Sequence, residues 1–146
     1  EYCMSHHHLD LPQLIRAQGY RLTPQRQLVL DTLCAMSSHA TASEIYEQVS
    51  AQMPALNQAT VYRTLEFFVE LRLIAKSDIG GQTVYELVGV QPHYHLVCRQ
   101  CSHVAELAAT QLADLADWLL VEHGFQADLD HVVIQGVCAD CRASSL

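Results

Sequence analysis

The stretch HYHLVCRQC occupies residues 93–101, and the stretch GVCADC follows at residues 136–141. Each contains a Cys-x-x-Cys pair. A spacer of two residues lets one tight turn direct two sulfur atoms at the same ion, and a structural Zn²⁺ takes four such ligands in a tetrahedron. The two pairs are therefore predicted to hold one structural zinc ion that ties distant segments together. The predicted zinc ligands are Cys98, Cys101, Cys138 and Cys141.

The composition of the 146 residues limits the kind of protein. Half of the residues, 50%, are hydrophobic, which fits one compact domain or two small ones. Charged residues interrupt every apolar run well before the roughly 20 residues that cross a bilayer, and no signal-peptide pattern is seen. A soluble, cytoplasmic protein without a membrane partner is expected, and in a reducing compartment paired cysteines more often hold metal than form disulfides.

The formal net charge of −8 is unevenly distributed. Residues 1–76 carry six basic and seven acidic side chains, a net of −1, whereas residues 77–146 carry two and nine, a net of −7. Only the first part could approach a phosphate backbone without strong repulsion. The asymmetry predicts two functional domains, over residues 9–88 and 89–146.

The first domain shows repeated signals for helix starts. Apolar residues at helical spacing predict a short helix over residues 9–18. Three further starts are predicted by an N-cap followed by proline, by a capping box and by a single N-cap. These signals are Thr23-Pro24, Thr41-x-x-Glu44 and Asn57. Cys34 falls in an apolar helical stripe and is predicted to be a core residue.

The last of these helices has two different faces. Val61, Leu65 and Phe68 form an apolar seam, while the opposite face has small and polar residues followed by an aromatic ring and a guanidinium group. Such a face fits the major groove of DNA. Gln58, Tyr62 and Arg63 are its predicted DNA-contacting residues.

Two predicted strands follow this helix, at residues 73–77 and 82–87, and Gly80-Gly81 between them is typical of a hairpin. Several helices followed by a hairpin indicate a winged helix-turn-helix. A helical bundle with a solvated Tyr-Arg face explains the same residues, so this pattern alone leaves both interpretations open. In the second domain, strands are predicted at residues 103–107 and 132–137, with a helix over residues 111–123 between them.

A second metal site is indicated by alternating histidines. His93 and His95 project to one face of a strand, with Glu86 before them and Glu106 on the following strand. Imidazole and carboxylate ligands suit Fe²⁺, Mn²⁺ or Zn²⁺. The sequence therefore favours a metal site distinct from the cysteine site.

Taken in order, the motifs resemble the ferric uptake regulator (Fur) family of bacterial metal-responsive repressors. The matching motifs are R21LTPQR26, H39-x6-Y46, A59TVYRTL65, Y85E86, H93YHLVCRQC101 and G136VCADC141. The resemblance spans residues 9–142. It implies an α+β protein with an N-terminal winged-helix domain and a C-terminal α/β dimerisation domain. It also implies a homodimer that binds double-stranded operator DNA and has no small-molecule substrate.

The resemblance also implies roles for particular residues. The regulatory metal would be held by His39, Glu86, His95 and Glu106, with His93 as a further ligand in some members. Arg21 matches a basic residue that reaches the minor groove. A further metal site of some members is implied to be incomplete here, because its positions fall on Pro92, Tyr94 and Asp130, with His131 one step off.

The expected function is repression of transcription in response to ferrous iron. A zinc-responsive repressor of the zinc uptake regulator type is the alternative, ahead of manganese. Peroxide sensing is disfavoured because that branch usually has Asp where this chain has Glu106. Two other functional classes fit the sequence less well. A zinc hydrolase with Glu106 as base lacks an HExxH pair, and a zinc-held interaction module leaves Tyr62 and Arg63 without a role. No enzymatic activity is expected.

Overall fold

The computed structural model describes residues 10–36, 39–88, 93–129 and 131–144. The helices in these ranges are α1 (Leu11–Ala17), α2 (Pro24–Met36), α3 (Ala42–Gln52), α4 (Gln58–Glu70), α5 (Ala113–His123) and α6 (Ala139–Ala143). The strands are β1 (Ala40–Thr41), β2 (Ile74–Ile79), β3 (Gln82–Leu87), β4 (His93–Cys98), β5 (Val104–Ala108) and β6 (His131–Gly136). A 3-10 helix over Ala109–Leu112 precedes α5. No helix in the described ranges is long and apolar enough to span a membrane.

The chain divides into two compact units. Among the described residues, the first comprises residues 10–36, 39–78 and 82–88, and the second comprises residues 79–81, 93–129 and 131–144. The boundary expected between residues 88 and 89 borders a segment, residues 89–92, that lies outside the described residues.

Side-chain caps begin the helices of the first unit. Thr41 and Glu44 form a reciprocal capping box, because Thr41 Oγ1 accepts from the Glu44 amide at 3.3 Å and Glu44 Oε2 accepts from the Thr41 amide at 2.7 Å. Asn57 Oδ1 accepts from the Thr60 amide at 2.9 Å and so caps α4. These hydrogen bonds satisfy amide groups that have no partner within their own helices.

The core of the first unit is formed where α1 to α4 meet. Its fully buried side chains include Ile15, Val29, Ile45, Leu65 and Phe68. Each such side chain contributes about 1.5–3 kcal/mol when it is removed from water. Cys34, predicted to be a core residue, is partly buried and packs against this core rather than within it.

A three-stranded sheet in the order β1-β3-β2 completes the first unit. Gly80 and Gly81 adopt φ angles of +62° and +79° in the turn between β2 and β3, a conformation that glycine tolerates best. The two-residue strand β1 pairs antiparallel with β3 through Ala40 and Tyr85. It was not predicted, because two residues carry no periodicity.

The second unit is built on a sheet with the order β5-β4-β6. The central strand β4 pairs antiparallel with β5 and parallel with β6, and α5 lies in the crossover between β5 and β6. The predicted helix over residues 111–123 divides in the structure into the end of the 3-10 helix and α5. The short helix α6 begins directly after Cys138 and was not predicted from the sequence.

Candidate functional site

The four cysteines of the two Cys-x-x-Cys pairs form one cluster in the second unit. The Sγ atoms of Cys98, Cys101, Cys138 and Cys141 all lie within 4.8 Å of one another. The Cys101 and Cys138 sulfur atoms are 3.7 Å apart. Ligands about 2.3 Å from a tetrahedral ion lie about 3.8 Å from one another, so this spacing fits Zn²⁺ and is far too long for a disulfide.

The surroundings of the sulfur atoms favour at least one thiolate. The pKa of Cys98 is lowered to about 6, first because the Cys138 backbone amide donates to its sulfur at 3.4 Å, and then because of amides in its own turn. The pKa of Cys141 is raised to about 12, first by the Cys138 thiol and then by that of Cys101. A first thiolate is therefore stabilised by the backbone, while neighbouring sulfurs oppose further ionisation until a cation compensates their charge.

A histidine and a carboxylate meet in the first unit. His39 precedes β1, Glu86 lies on β3, and the pairing of these strands brings the two side chains together. The Nε2 atom of His39 is 2.8 Å from Oε2 of Glu86, and the Glu86 side chain is nearly buried. Both groups are suitable metal ligands, but two donors do not complete the coordination shell of a transition metal.

Two histidines meet in the second unit. His95 lies on β4 and is fully buried, and His131 opens the neighbouring parallel strand β6. Their ring centroids are 5.0 Å apart, and each ring offers a nitrogen within 4.8 Å of the other's. His131 was not among the residues predicted for the regulatory site. Only the register of β4 against β6, which pairs residues far apart in the sequence, brings it beside His95.

The two remaining predicted ligands flank this histidine pair differently. Glu106 lies directly opposite His95 on β5, in a register that places both side chains on the same face of the sheet, and it is exposed. The backbone of His93 pairs with His131, but its side chain lies outside the described part of the chain. Of the further positions considered, Pro92 and Asp130 lie outside the described residues, and Tyr94 is buried.

Helix α4 separates its core face from a solvent-exposed face, as its sequence pattern predicts. Val61 and Leu65 are fully buried, while Gln58, Tyr62 and Arg63 are exposed. An amphipathic helix with a free polar face and a rigid apolar attachment can enter a DNA groove without disturbing the core. We refer to α4 as the recognition helix.

The recognition helix is joined to the β2-β3 hairpin by a polar network that the sequence did not reveal. Glu66 Oε1 accepts from Lys76 Nζ at 2.7 Å and from the Tyr85 hydroxyl at 3.0 Å. Lys76 lowers the pKa of Glu66, whereas burial and then the Glu66 carboxylate raise the pKa of Tyr85 to about 12. Tyr85 is thus a neutral hydroxyl donor. The positive charge of Lys76 compensates the negative charge of Glu66 beside the exposed face of the helix.

Arg21 is exposed in the short segment between α1 and α2. Its carbonyl oxygen accepts from the Nη1 atom of Arg26 at 2.7 Å. The Arg26 guanidinium carbon lies 3.8 Å from the centre of the Phe67 ring on the recognition helix. The segment that carries Arg21 is therefore attached to this helix.

The structure combines a winged helix, a four-sulfur cluster, and pairs of imidazole and carboxylate groups. Residues 17–134 match the profile of the Ferric uptake regulator family. The chain belongs to this family. Members of the Ferric uptake regulator family are metal-binding, DNA-binding transcriptional regulators rather than enzymes.

Individual family members resemble the chain over most of its length. The peroxide-responsive repressor PerR of Staphylococcus aureus is 32% identical over 130 residues, which cover 88% of this chain and 86% of PerR. The ferric uptake regulator of Pseudomonas aeruginosa, solved with manganese, superposes with a TM-score of 0.72 at 25% identity, covering 90% of this chain and 99% of that one. A zinc-bound manganese uptake regulator gives a TM-score of 0.61 at 27% identity, with coverage of 89% and 99%.

These likenesses confirm the predicted family and fold class. Structures of Ferric uptake regulator proteins combine an N-terminal DNA-binding domain with a C-terminal dimerisation domain, and the mixed helix and sheet architecture of this chain matches them.

Proposed function

We propose that this protein is a homodimeric repressor that binds double-stranded operator DNA when ferrous iron is bound. The observation that carries the proposal is that each compact unit contributes an incomplete set of ligands. The DNA-binding unit has the His39–Glu86 pair, at 2.8 Å, and the other unit has the His95–His131 pair. One ion that takes ligands from both pairs would have the four donors that neither pair supplies alone.

The residues act as a switch in this proposal because they belong to different units. Holding one ion in common restricts the orientations that the units can adopt. A two-fold symmetric operator can be read only when both recognition helices meet successive major grooves, so a restricted orientation favours binding. The bound cation also supplies positive charge beside carboxylates that would otherwise repel DNA. Glu106 and His93 remain proposed as further ligands.

The ligands of the proposed regulatory site suit iron and the zinc-responsive alternative alike. Imidazole nitrogen and carboxylate oxygen are donors that Fe²⁺, Mn²⁺ and Zn²⁺ all accept, whereas the sulfur ligands that favour zinc are gathered in the other cluster. We therefore assign Zn²⁺ to the four cysteines as a structural ion. Fe²⁺ is proposed as the regulatory ion, with Zn²⁺ as the alternative and Mn²⁺ after it.

A homodimer is proposed because apolar surface of the second unit is uncovered. Helix α5 has no buried residue although it carries Trp118, Leu120 and Val121. In the sheet, Leu96 pairs with Ala105 on one side and Ile134 on the other, and this apolar row is also partly exposed. A helix that is apolar on several faces is stable only when it is buried, and a second copy of the chain offers the matching apolar surface.

Peroxide response is a second candidate function, because PerR of Staphylococcus aureus is a 32% identical relative. The two candidates differ in one measurement. Iron-loaded protein that retains operator affinity after brief treatment with hydrogen peroxide supports the iron-responsive repressor, whereas lasting loss of affinity supports peroxide sensing.

The proposal is tested with His39→Ala. We expect this variant to remain a folded dimer with one zinc ion per chain, because His39 lies outside the cysteine cluster. It should bind operator weakly in a mobility-shift titration and gain little affinity when Fe²⁺, Mn²⁺ or Zn²⁺ is added. His103→Ala is the matched control, since His103 is an exposed histidine that belongs neither to the cysteine cluster nor to the two pairs of proposed regulatory ligands. A His39→Ala protein that responds to metal like its parent would contradict the proposed switch.

The ligand set is tested by comparing His131→Ala with Glu106→Gln. If the histidine pair of the second unit holds the ion, His131→Ala weakens the metal response at least as strongly as Glu106→Gln. If only Glu106→Gln weakens it, the set implied by the family resemblance is correct and His131 has a structural role.

A further inference from the structure

We infer that Arg26 is a positioning residue, which holds the segment carrying Arg21 against the recognition helix so that Arg21 can enter the minor groove. The inference rests on the DNA-binding function proposed above and on the minor-groove role that the family resemblance implies for Arg21, and it assigns Arg26 a role in sequence preference. It follows from contacts within the first unit alone.

Arg26 makes two contacts that use different parts of its side chain. One N–H of its guanidinium group donates to the carbonyl oxygen of Arg21 at 2.7 Å. The face of the same planar group lies over the Phe67 ring, with 3.8 Å between the guanidinium carbon and the ring centre. A hydrogen bond in the plane and a ring contact on the face are compatible only because guanidinium is flat and delocalised.

Phe67 also contacts Tyr20, the residue directly before Arg21. The Tyr20 ring meets it edge-on, with 5.1 Å between ring centroids. Gly19, at φ +85°, makes the turn that leads out of α1, and the Tyr20 amide donates to the Ile15 carbonyl at 3.2 Å. One ring on the recognition helix therefore fixes two consecutive residues, Tyr20 directly and Arg21 through Arg26.

The fixed backbone has a direct consequence for Arg21. The Arg21 side chain is exposed. Among the contacts described above, Arg21 is held only through its carbonyl oxygen, which accepts the hydrogen bond from Arg26. An arginine that enters a narrow minor groove loses less conformational entropy on binding if its backbone is already in place. The preference for a narrow, A·T-rich minor groove should then depend on Arg26 although Arg26 does not enter the groove.

Direct contact between Arg26 and a DNA phosphate is the competing role. A pocket of about 290 Å³ lies beside Arg26 and Arg63 and is also lined by Thr23 and Thr60, so a phosphate oxygen could reach the guanidinium group. The two roles make opposite predictions for substitutions that keep the positive charge.

The experiment uses the full-length, metal-loaded protein and a duplex selected from a randomised pool, together with a version whose flanking A·T pairs are replaced by G·C. Arg26→Lys keeps the charge but cannot both stack on the ring and hold the carbonyl. Phe67→Leu keeps every charge and removes only the ring. We expect each variant to lose about tenfold in its preference for the A·T-flanked duplex. The double variant Arg21→Ala/Arg26→Lys should be no weaker than Arg21→Ala.

Amide hydrogen exchange without DNA provides a readout that is independent of binding. The Tyr20 amide, which donates to the Ile15 carbonyl at 3.2 Å, should exchange faster in both Arg26→Lys and Phe67→Leu, while α2 and α4 keep their protection. Unchanged exchange, or faster exchange with unchanged preference, would overturn the inference.

The remaining outcomes separate the inference from the function on which it rests. If Arg21→Ala weakens binding but Arg26→Lys and Phe67→Leu do not, the positioning role is wrong and the DNA-binding role of Arg21 stands. If Arg21→Ala binds both duplexes like the parent, the proposed role of Arg21 fails, and the positioning role fails with it. Additive losses in the double variant would indicate that Arg26 contacts phosphate itself.

Discussion

Replacing Cys138 by serine is expected to release the zinc ion proposed for the cysteine cluster. The Cys138 sulfur lies 3.7 Å from that of Cys101, so the substitution removes one of the four clustered sulfur ligands, although the backbone amide can still donate to Cys98. Removing one of four thiolates should lower the zinc content measured by elemental analysis and the thermal stability of the second unit. Cys34→Ser is the control for loss of a thiol, because Cys34 packs against the core of the other unit. Full zinc content in Cys138→Ser would refute the assignment.

At the scale of single residues, sequence spacing predicts which side chains lie together when they are near in the chain. It does not predict this for side chains that are distant in the chain. Cys98 and Cys101 lie in one turn, so their common direction follows from the two-residue spacer. His131 and His95 belong to parallel strands separated by a helical crossover, and their approach depends on a register that no local pattern encodes. The same limit on prediction from sequence applies to Arg26, because its motif does not indicate that its guanidinium group packs on the Phe67 ring.

At the scale of the helix, the N-cap of the recognition helix can be tested separately from the exposed residues that are predicted to contact DNA. Asn57→Ala removes the oxygen that accepts from the Thr60 amide at 2.9 Å, and should lower the free energy of unfolding of the first unit by about 1 kcal/mol. Asn57→Ser should lose much less, because serine caps nearly as well. Urea denaturation followed by circular dichroism measures both. Equal stability of Asn57→Ala and the parent would show that packing alone holds the helix start.

The elements predicted well are those with a signal in their own sequence. The capping box at Thr41 and the N-cap at Asn57 predicted two helix starts that the structure contains. The hairpin was equally recognisable from the Gly80-Gly81 pair, because glycine readily takes the positive φ angles that both residues adopt in the structure. The strand β1 and the helix α6 were missed because each is very short and is stabilised by contacts with distant residues.

At the scale of the whole molecule, the exposed apolar surface of the second unit should determine the oligomeric state. Val121 on α5 is 78% exposed in the single chain. Val121→Lys should convert the proposed dimer to a monomer in light scattering after gel filtration, because burying an unpaired ammonium group costs several kcal/mol. Glu47→Lys, an exposed substitution on α3 of the other unit, is the matched control. A Val121→Lys protein that remains dimeric would place the interface elsewhere.

The topology of the second sheet limits the order in which this protein can fold. Its central strand β4 cannot complete its pairing until β6 returns from beyond α5, and the cysteines Cys101 and Cys138 are separated by 37 positions. Closing so long a loop costs conformational entropy before the contacts that offset this cost can form. The helix caps and the hairpin of the first unit instead form between residues that are close in the sequence. The DNA-binding unit is therefore expected to refold first and without zinc. Refolding of the second unit should accelerate when zinc is supplied, because an ion already bound to one cysteine pair gives the second pair a site to join.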